Sequence, residues 1–180
     1  MKKIYSNVYK PYLANLKKAK KIIENNAVIG LPTETVYGLA GNAYSNESIK
    51  KIFSLKRRPV INPVIIHFRD LKDLKNDVVL NDSFMKLYRA FCPGPITFIL
   101  KKKDVSKISK KATAGKNTVA VRIPKHRIAR KLLKICQFRR PSALAVVRLP
   151  FVSKALAWRL VRPFGRTTSF SLFSLESLIL

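Results

Sequence analysis

Residues 27–39 read AVIGLPTETVYGL, an apolar run followed directly by a run of polar side chains. Its opening residues are apolar and rich in branched side chains, a composition that predicts a buried strand closed by Pro32. The hydroxyls, carboxylate and phenol of residues 33–37 follow at once, and Gly38 and Gly41 predict that the chain continues as a loop. Ligands of open α/β sheets gather beyond the carboxyl ends of strands, so these side chains form either a ligand site or an ordinary polar turn.

Strands and helices alternate on both sides of that stretch. An apolar stripe predicts a helix at residues 12–26, and Ser45 is a good N-cap for a helix that runs to Lys56. Later patterns predict strands at 63–68, 96–100 and 118–123, helices at 82–91 and 128–135, and a basic loop at 101–116 that turns at Gly115. The alternation predicts a layered α/β or α+β domain.

The charge of the chain is strongly one-sided. Its 180 residues include 37 Lys+Arg and 9 Asp+Glu, a formal net charge of +28. Such a field attracts nucleic acid, nucleotide phosphates and anionic membranes. The same lysines also fit a solvated surface, and the two interpretations are compatible.

The shortage of carboxylates excludes several kinds of site. A hydrolase with paired carboxylates or a protein-built metal cage would have few side chains to use. Three of the carboxylates, Asp70, Asp73 and Asp77, are spaced like the polar face of a helix.

Cysteine and histidine give no metal motif either. Cys92 and Cys136 are too far apart for a CxxC pair, and His67 and His126 lack ligand spacing, so we expect no zinc site. A reduced, cytoplasmic setting is the expectation for such cysteine usage. No run reaches the ~18 uncharged residues of a membrane span, and we therefore expect no transmembrane segment.

Two further groups of polar residues have structural explanations of their own. The cations at 56–58 close a predicted helix, where they favour the helix dipole without any ligand. His67 lies in an apolar strand, where a lone histidine is usually satisfied by a hydrogen bond.

In their order along the chain, however, the motifs form a specific combination. PTETVYGL (32–39), KRRP (56–59), NPVIIH (62–67), PGPIT (93–97) and TVAVRIP (118–124) together resemble the YrdC-like threonylcarbamoyl-AMP synthase family. The resemblance covers roughly residues 12–136. It implies a three-layer domain with a strongly twisted mixed sheet around a basic central cavity.

The resemblance also implies a reaction. Enzymes of this family join L-threonine, bicarbonate and ATP into threonylcarbamoyl-adenylate, and partner proteins then transfer the threonylcarbamoyl group to a tRNA adenosine. The carbamate is itself the nucleophile, so no catalytic nucleophile is expected, and the protein aligns the substrates and stabilises charge. Mg²⁺ would be held mainly by the phosphates, and no protein metal site is implied.

Individual positions follow from the same resemblance. It implies ATP-binding residues at Lys56, Arg58, Asn62 and Ser142, and threonine-binding residues at Thr33, Tyr37, His67, Thr113 and Arg122. Lys56 and Arg58 would align the phosphates and stabilise their charge, and Arg122 would hold the threonine carboxylate as a fork. Cys92 stands where the family usually has Trp, a difference expected to affect packing.

The resemblance stops near residue 137. Residues 1–137 are predicted to form the nucleotide- and threonine-binding domain, and 138–180 an atypical tail in which Leu144 replaces the family's asparagine. A change from Lys and Asn to Arg, Ser and Leu at this point favours a reading-frame slip over a new basic amphipathic segment at 151–164. We therefore expect the tail neither to complete the fold nor to support catalysis.

The sequence is compatible with three hypotheses about function. The leading one is a threonylcarbamoyl-AMP synthase-like protein that has lost part of its site. The others are a non-catalytic module that binds tRNA or double-stranded RNA through the same basic cavity, and a gene remnant without function.

Overall fold

The computed structural model describes residues 9–136, 143–148 and 178–179. The helices are α1 (Leu13–Glu24), α2 (Asn46–Lys56), α3 (Leu71–Leu74), α4 (Asp82–Phe91) and α5 (Arg127–Ile135). The strands are β1 (Ile29–Pro32), β2 (Tyr37–Asn42), β3 (Ile65–Phe68), β4 (Phe98–Lys101), β5 (Thr118–Arg122), β6 (Ala143–Arg148) and β7 (Leu178–Ile179). None of the helices in this part of the chain is long and apolar enough to cross a membrane.

The strands form one mixed sheet in the order β4-β5-β3-β6-β2-β1-β7. β3 pairs with β5 in parallel, whereas β6 pairs antiparallel to both β3 and β2. β1 and β2 form an antiparallel hairpin, and β7 adds two residues in parallel to β1.

Helices cover both faces of the sheet. Side chains that alternate along β3 and β5 pack with α2 and α4 on one face, and Ile66, Phe68 and Val121 belong to that core. On the opposite face, Ile29 and Leu144 pack with α1 and α5. The predicted three-layer α/β architecture with a mixed sheet is thus confirmed.

The prediction of a loop after Thr35 is wrong, because residues 37–42 form β2. Its glycines mark close packing instead of a flexible connection. A Cβ on Gly38 would lie 2.6 Å from Val146 Cγ1 in β6, and a Cβ on Gly41 would lie 2.2 Å from Ser48 Oγ in α2. Only glycine lets β2 pass this close to its neighbours.

The expectation that residues 138–180 do not complete the fold is also wrong for residues 143–148. They form β6, which lies in the middle of the sheet between β2 and β3. Residues Ala143–Val147 of this strand are buried. Leu144, expected to be a lost polar contact, packs in the core between the sheet and α5 because its apolar side chain suits that face.

The three aspartates at 70, 73 and 77 do not form an exposed helix face. Asp70 caps the short helix α3 by accepting a hydrogen bond from the backbone N–H of Asp73. Asp77 is buried and accepts hydrogen bonds from the hydroxyls of Tyr44 and Ser106, both at 2.7 Å. These bonds compensate for burial of the carboxylate and attach the 101–116 loop to the core.

Local capping signals were predicted correctly. The Ser45 hydroxyl accepts a hydrogen bond from Ser48 N at the start of α2, and Gly115 turns the basic loop with a φ of 75°. Asn26 adopts a φ of 55° just after α1, as expected for a residue that ends a helix.

Candidate functional site

The turn between β1 and β2 contains the first predicted site residue, Thr33. Its Oγ1 donates a hydrogen bond to Val36 O at 2.6 Å and accepts one from Val36 N at 3.2 Å. The hydroxyl therefore builds the turn, and a contact with a ligand stays a prediction. Tyr37, the first residue of β2, is half-buried and packs against the core on the α2 side.

Glu34, next to Thr33 in this turn, forms the most extensive polar contact of the site. Its Oε1 accepts hydrogen bonds from Arg122 Nε, at 3.0 Å, and from Arg122 Nη2. Its Oε2 accepts from the backbone N–H groups of Lys125 and His126, both at 3.2 Å. We call the ion pair of Glu34 and Arg122 the Glu34–Arg122 bridge.

The bridge joins distant parts of the sheet. β5, which carries Arg122, is separated from β1 by β3, β6 and β2. A direct contact between the β1–β2 turn and the end of β5 therefore requires the sheet to twist and curl, as twisted mixed sheets do. The curl brings the Thr33 turn to the junction of β5 and α5.

His67 lies beside this bridge on the next strand. It pairs in register with Arg122 of β5 and with Leu144 of β6. Its neighbours in β3, Ile66 and Phe68, belong to the core on the α2 side, so alternation places His67 on the opposite face of the sheet. The side chain is buried, and among the described residues its Nδ1 has no hydrogen-bond partner.

The protonation states of these groups follow from burial and charge. Burial raises the pKa of Glu34, but its own backbone N–H, Arg122 and His126 outweigh burial and hold the pKa below its ordinary value. Burial, reinforced by the charge of Arg122 and opposed by that of Glu34, lowers the pKa of His67 to about 3. At neutral pH the site therefore contains an ionised carboxylate, a guanidinium and a neutral imidazole.

The predicted phosphate-binding residues form a second group, which we call the 56–58 cation cluster. Arg57 ends α2 in the left-handed conformation, with a φ of 47°. Arg58 donates hydrogen bonds to the backbone carbonyls of Asn62, at 3.2 Å, and Pro63, at 3.0 Å. Burial and then the charge of Arg58 lower the pKa of Lys56 to about 8.

A surface groove of about 370 Å³ adjoins this cluster. Its walls contain four cations and no carboxylate: Lys50, Arg57, Arg58 and Lys111, together with Phe53, Ser54 and Val60. It lies between α2 and the 101–116 loop. The predicted basic central cavity is a different feature and stays a prediction.

The weaker candidates are placed differently. The Asn62 side chain is exposed, and its backbone carbonyl supports Arg58. Thr113 is buried and donates a hydrogen bond to Lys110 O at 3.2 Å, within a turn of the basic loop. Ser142 lies outside the described residues.

Sequence reasoning missed two residues of this region. Glu34 was recognised as a polar residue of the turn but not as the partner of Arg122. Arg148 ends β6 opposite Gly38 of β2, which adds another exposed cation. The scarcity of carboxylates was the available signal for Glu34, because a carboxylate within a motif of a strongly basic chain has many cations to pair with.

Comparison with known proteins gives consistent relatives. The Sua5–YciO–YrdC family model, described as "Telomere recombination", matches residues 21–149. Threonylcarbamoyl-AMP synthase of Pyrococcus abyssi is 39% identical over 122 residues, covering 66% of this chain and 35% of that protein. The Bacillus subtilis threonylcarbamoyl-AMP synthase is 38% identical over 118 residues, covering 65% of this chain and 34% of the relative. The chain thus spans about a third of the length of these two curated relatives.

Solved structures agree with the fold. The structure of P. abyssi Sua5 complexed with L-threonine matches with a TM-score of 0.70 and 33% identity, covering 78% of this chain and 40% of that one. Escherichia coli YciO matches with a TM-score of 0.69 at 21% identity, covering 94% of this chain and 78% of that one, and supports the fold alone. With the family model matched over most of the sheet, the Glu34 turn and the 56–58 cation cluster, the chain belongs to the Sua5–YciO–YrdC family.

Proposed function

We propose that this chain forms threonylcarbamoyl-adenylate from L-threonine, bicarbonate and ATP. The observation that carries the proposal is the set of charges around the Glu34–Arg122 bridge. A buried guanidinium lies beside a buried neutral His67, whose Nδ1 has no hydrogen-bond partner in the described part of the chain, and the chain is related to a protein solved with L-threonine. A cation and a hydrogen-bonding group held side by side suit an amino acid with its own carboxylate and polar atoms.

Threonine would be bound at the bridge. Arg122 would donate hydrogen bonds to the substrate carboxylate, and Thr33, which adjoins Glu34, would contact the amino acid from the turn. His67 is neutral at physiological pH, so its Nδ1 offers a hydrogen bond without repelling or attracting charge. The proposal includes Tyr37 and Thr113 with less support, because Tyr37 packs against the core on the α2 side of the sheet and the Thr113 hydroxyl already bonds to Lys110 O.

ATP would be bound at the 56–58 cation cluster. Lys56 and Arg58 would bind the triphosphate, with Asn62 and Ser142 as further contacts. The oxygen of the threonine carbamate would attack the α-phosphorus, the bond from that phosphorus to the bridging oxygen would break, and pyrophosphate would leave. Cations fixed beside the phosphates stabilise the charge that develops on these oxygens.

Mg²⁺ would reach the site with the nucleotide. No group of three or more His, Cys, Asp or Glu side chains among the described residues could hold a metal ion. Glu34, the carboxylate of the site, has both oxygens engaged by Arg122 and by backbone N–H groups. Phosphate oxygens and water are therefore the proposed ligands of the ion, which would neutralise phosphate charge.

The test is pyrophosphate release by the purified chain. We expect release to require threonine, bicarbonate and ATP together. Release that does not depend on threonine would contradict the proposal. Binding of tRNA or double-stranded RNA without nucleotide, in a chain that releases no pyrophosphate, would favour the RNA-binding module instead. An insoluble chain would favour the gene remnant.

Several accompanying assignments belong to the same proposal. Partner proteins would transfer the threonylcarbamoyl group to tRNA. The reaction would take place in the cytoplasm, an assignment supported by the free thiols of Cys92 and Cys136. A reading-frame slip was expected from residue 138; because residues 143–148 form β6, we propose it only for the residues after 148, on the change in composition. Expressing this chain beside one whose tail is read in the alternative frame tests it, because equal turnover by both would contradict a slip.

A further inference from the structure

The two oxygens of Glu34 accept hydrogen bonds from different groups at the junction of β5 and α5. Oε1 pairs with the guanidinium of Arg122, and Oε2 is held by the backbone N–H groups of Lys125 and His126. These bonds connect the β1–β2 turn to the β5–α5 junction, between residues 88 or more positions apart in the chain. Glu34 therefore fixes the position of the β1–β2 turn, with Thr33, relative to Arg122.

The edge of the guanidinium that Glu34 uses is informative. Nε and Nη2 lie along one side of the planar group, and Glu34 Oε1 accepts from both. The five N–H donors of arginine form a rigid fork, so the remaining edge, formed by Nη1 and the second proton of Nη2, keeps the geometry to bind another carboxylate in a bidentate way. Pairing with Glu34 thus leaves Arg122 competent for a carboxylate ligand and fixes the direction of its remaining edge.

Glu34 is held too firmly to be exchanged for a ligand. Its side chain is 16% exposed and that of Arg122 is 9% exposed. Release of the carboxylate would leave two backbone donors and a buried guanidinium without their partner, which is strongly unfavourable for a buried charge. A substrate carboxylate therefore joins this arrangement instead of replacing Glu34.

We infer that Glu34 is a positioning residue for the amino-acid substrate: by occupying one edge of Arg122, it orients the other edge toward the substrate carboxylate. The inference rests on the proposed function and deepens it. It assigns the selectivity for a carboxylate to a pair of residues, of which only Arg122 touches the substrate. Glu34 also compensates the charge of Arg122, which lets the guanidinium remain buried beside the neutral His67.

Glu34→Gln is the direct test. The glutamine amide has one acceptor oxygen and one NH₂ group, whereas Glu34 meets only donors on both sides. The variant cannot satisfy Arg122 and the backbone N–H groups at the same time, so Arg122 loses its fixed orientation. We expect kcat/KM for threonine to fall about 100-fold, with ATP affinity, measured by calorimetry, unchanged within about twofold.

Glu47→Gln is the matched control. Glu47 also accepts a hydrogen bond from a cation, Lys51, but it lies on the exposed surface of α2. We expect this variant to behave like the wild type. Glu34→Asp keeps the charge on a shorter side chain, and its kcat/KM for threonine should lie between those of Glu34→Gln and the wild type.

The outcomes distinguish failure of the Glu34 inference from failure of the proposed function. Equal threonine kinetics for the wild type and Glu34→Gln would overturn this inference alone. A parallel loss of ATP affinity in Glu34→Gln would also overturn it, because a purely structural defect lowers both affinities. A wild type without threonine dependence would overturn the proposed function and this inference with it.

Arg122→Lys keeps the inference testable if Glu34→Gln does not fold. A lysine ammonium can pair with Glu34 but offers no second planar edge. We expect threonine binding to fall at least tenfold while ATP binding is kept. Full threonine affinity in Arg122→Lys would overturn the inference.

Discussion

The Glu34–Arg122 bridge and the 56–58 cation cluster differ in how they are built. The bridge is largely buried, and its carboxylate accepts four hydrogen bonds from residues 122–126 at the junction of β5 and α5. The cluster is half-exposed, and the hydrogen bonds of Arg58 go to backbone carbonyls of the adjoining loop. The charges of the bridge are therefore compensated within the protein, whereas the cluster carries an excess of positive charge.

This difference matches the two kinds of ligand proposed. A small amino acid is recognised by a few polar groups in fixed directions, so its site needs rigid, compensated charges. A triphosphate carries several negative charges, so its site can remain uncompensated until the ligand arrives. We expect the bridge to govern stability and threonine selectivity, and the cluster to govern nucleotide affinity.

The largest effect is expected from removing the cation of the bridge. Arg122→Met should lower the free energy of unfolding by about 3 kcal/mol, because it leaves the carboxylate of Glu34 without its charged partner in a buried place. Urea denaturation measures the change. Lys51→Met removes the partner of the exposed Glu47 and should have a much smaller effect, because solvent screens a surface ion pair. Threonine dependence should disappear in Arg122→Met while ATP binding largely survives. Equal losses of stability in Arg122→Met and Lys51→Met would contradict a special role of the bridge in stability.

The next largest effect is expected from removing the cations of the 56–58 cation cluster. Lys56→Ala with Arg58→Ala should weaken ATP binding by about 3 kcal/mol, since charge-assisted hydrogen bonds contribute about 1.5–3 kcal/mol each. Calorimetry with ATP gives the measurement. The control removes the same charge from the exposed surface of α4, through Lys86→Ala with Arg89→Ala. Unchanged ATP affinity in the cluster variant would contradict the proposal that the 56–58 cation cluster binds ATP.

Acid should destabilise the region of the bridge through His67. Its pKa is about 3 in the folded protein and about 6.5 in an unfolded chain, so the unfolded state binds the proton first as the pH falls. Stability is then lost below pH 6.5, by about 1.4 kcal/mol per pH unit over the steepest part of the range. Urea denaturation of the wild type and of His67→Gln at pH 7, 6 and 5 measures the difference. Parallel curves for the two proteins would contradict the buried, neutral state of His67.

The smallest effect concerns the pH dependence of ATP binding. Lys56 has a pKa of about 8 because of burial and then the charge of Arg58. The ammonium loses its proton as the pH rises through that value, and ATP affinity should fall between pH 7 and pH 9. Lys56→Arg should flatten this dependence, because a guanidinium stays charged over the whole range. An equal decline of ATP affinity between pH 7 and pH 9 in the wild type and in Lys56→Arg would show that a group other than Lys56 causes it.

Local patterns predicted much of the fold. The helix expected at residues 82–91 is α4, and Ser45 caps α2 as expected. Both depend on neighbours a few positions away, since capping and helical periodicity act within one or two turns. Strands β3, β4 and β5 begin or end within two residues of their predicted bounds.

The errors concern long-range contacts. β2 was missed because its glycines were interpreted as turn residues, although they are required by the approach of Val146 and Ser48. β6 was assigned to an atypical tail because its partners, β2 and β3, are far away in the chain. The bond from Arg122 to Glu34 spans 88 positions, so no local pattern could reveal it. The positions implied for ATP and threonine came from the motifs and stay predictions.

The position of β6 has a consequence for protein synthesis. A ribosome makes β2 and β3 well before residues 143–148, which later fit between them. Until then, the facing edges of β2 and β3 have backbone groups without their final neighbour, and such edges pair readily with other chains. The nascent chain is therefore exposed to aggregation until this segment leaves the ribosome, and chaperones that shield strand edges would act on it during that interval.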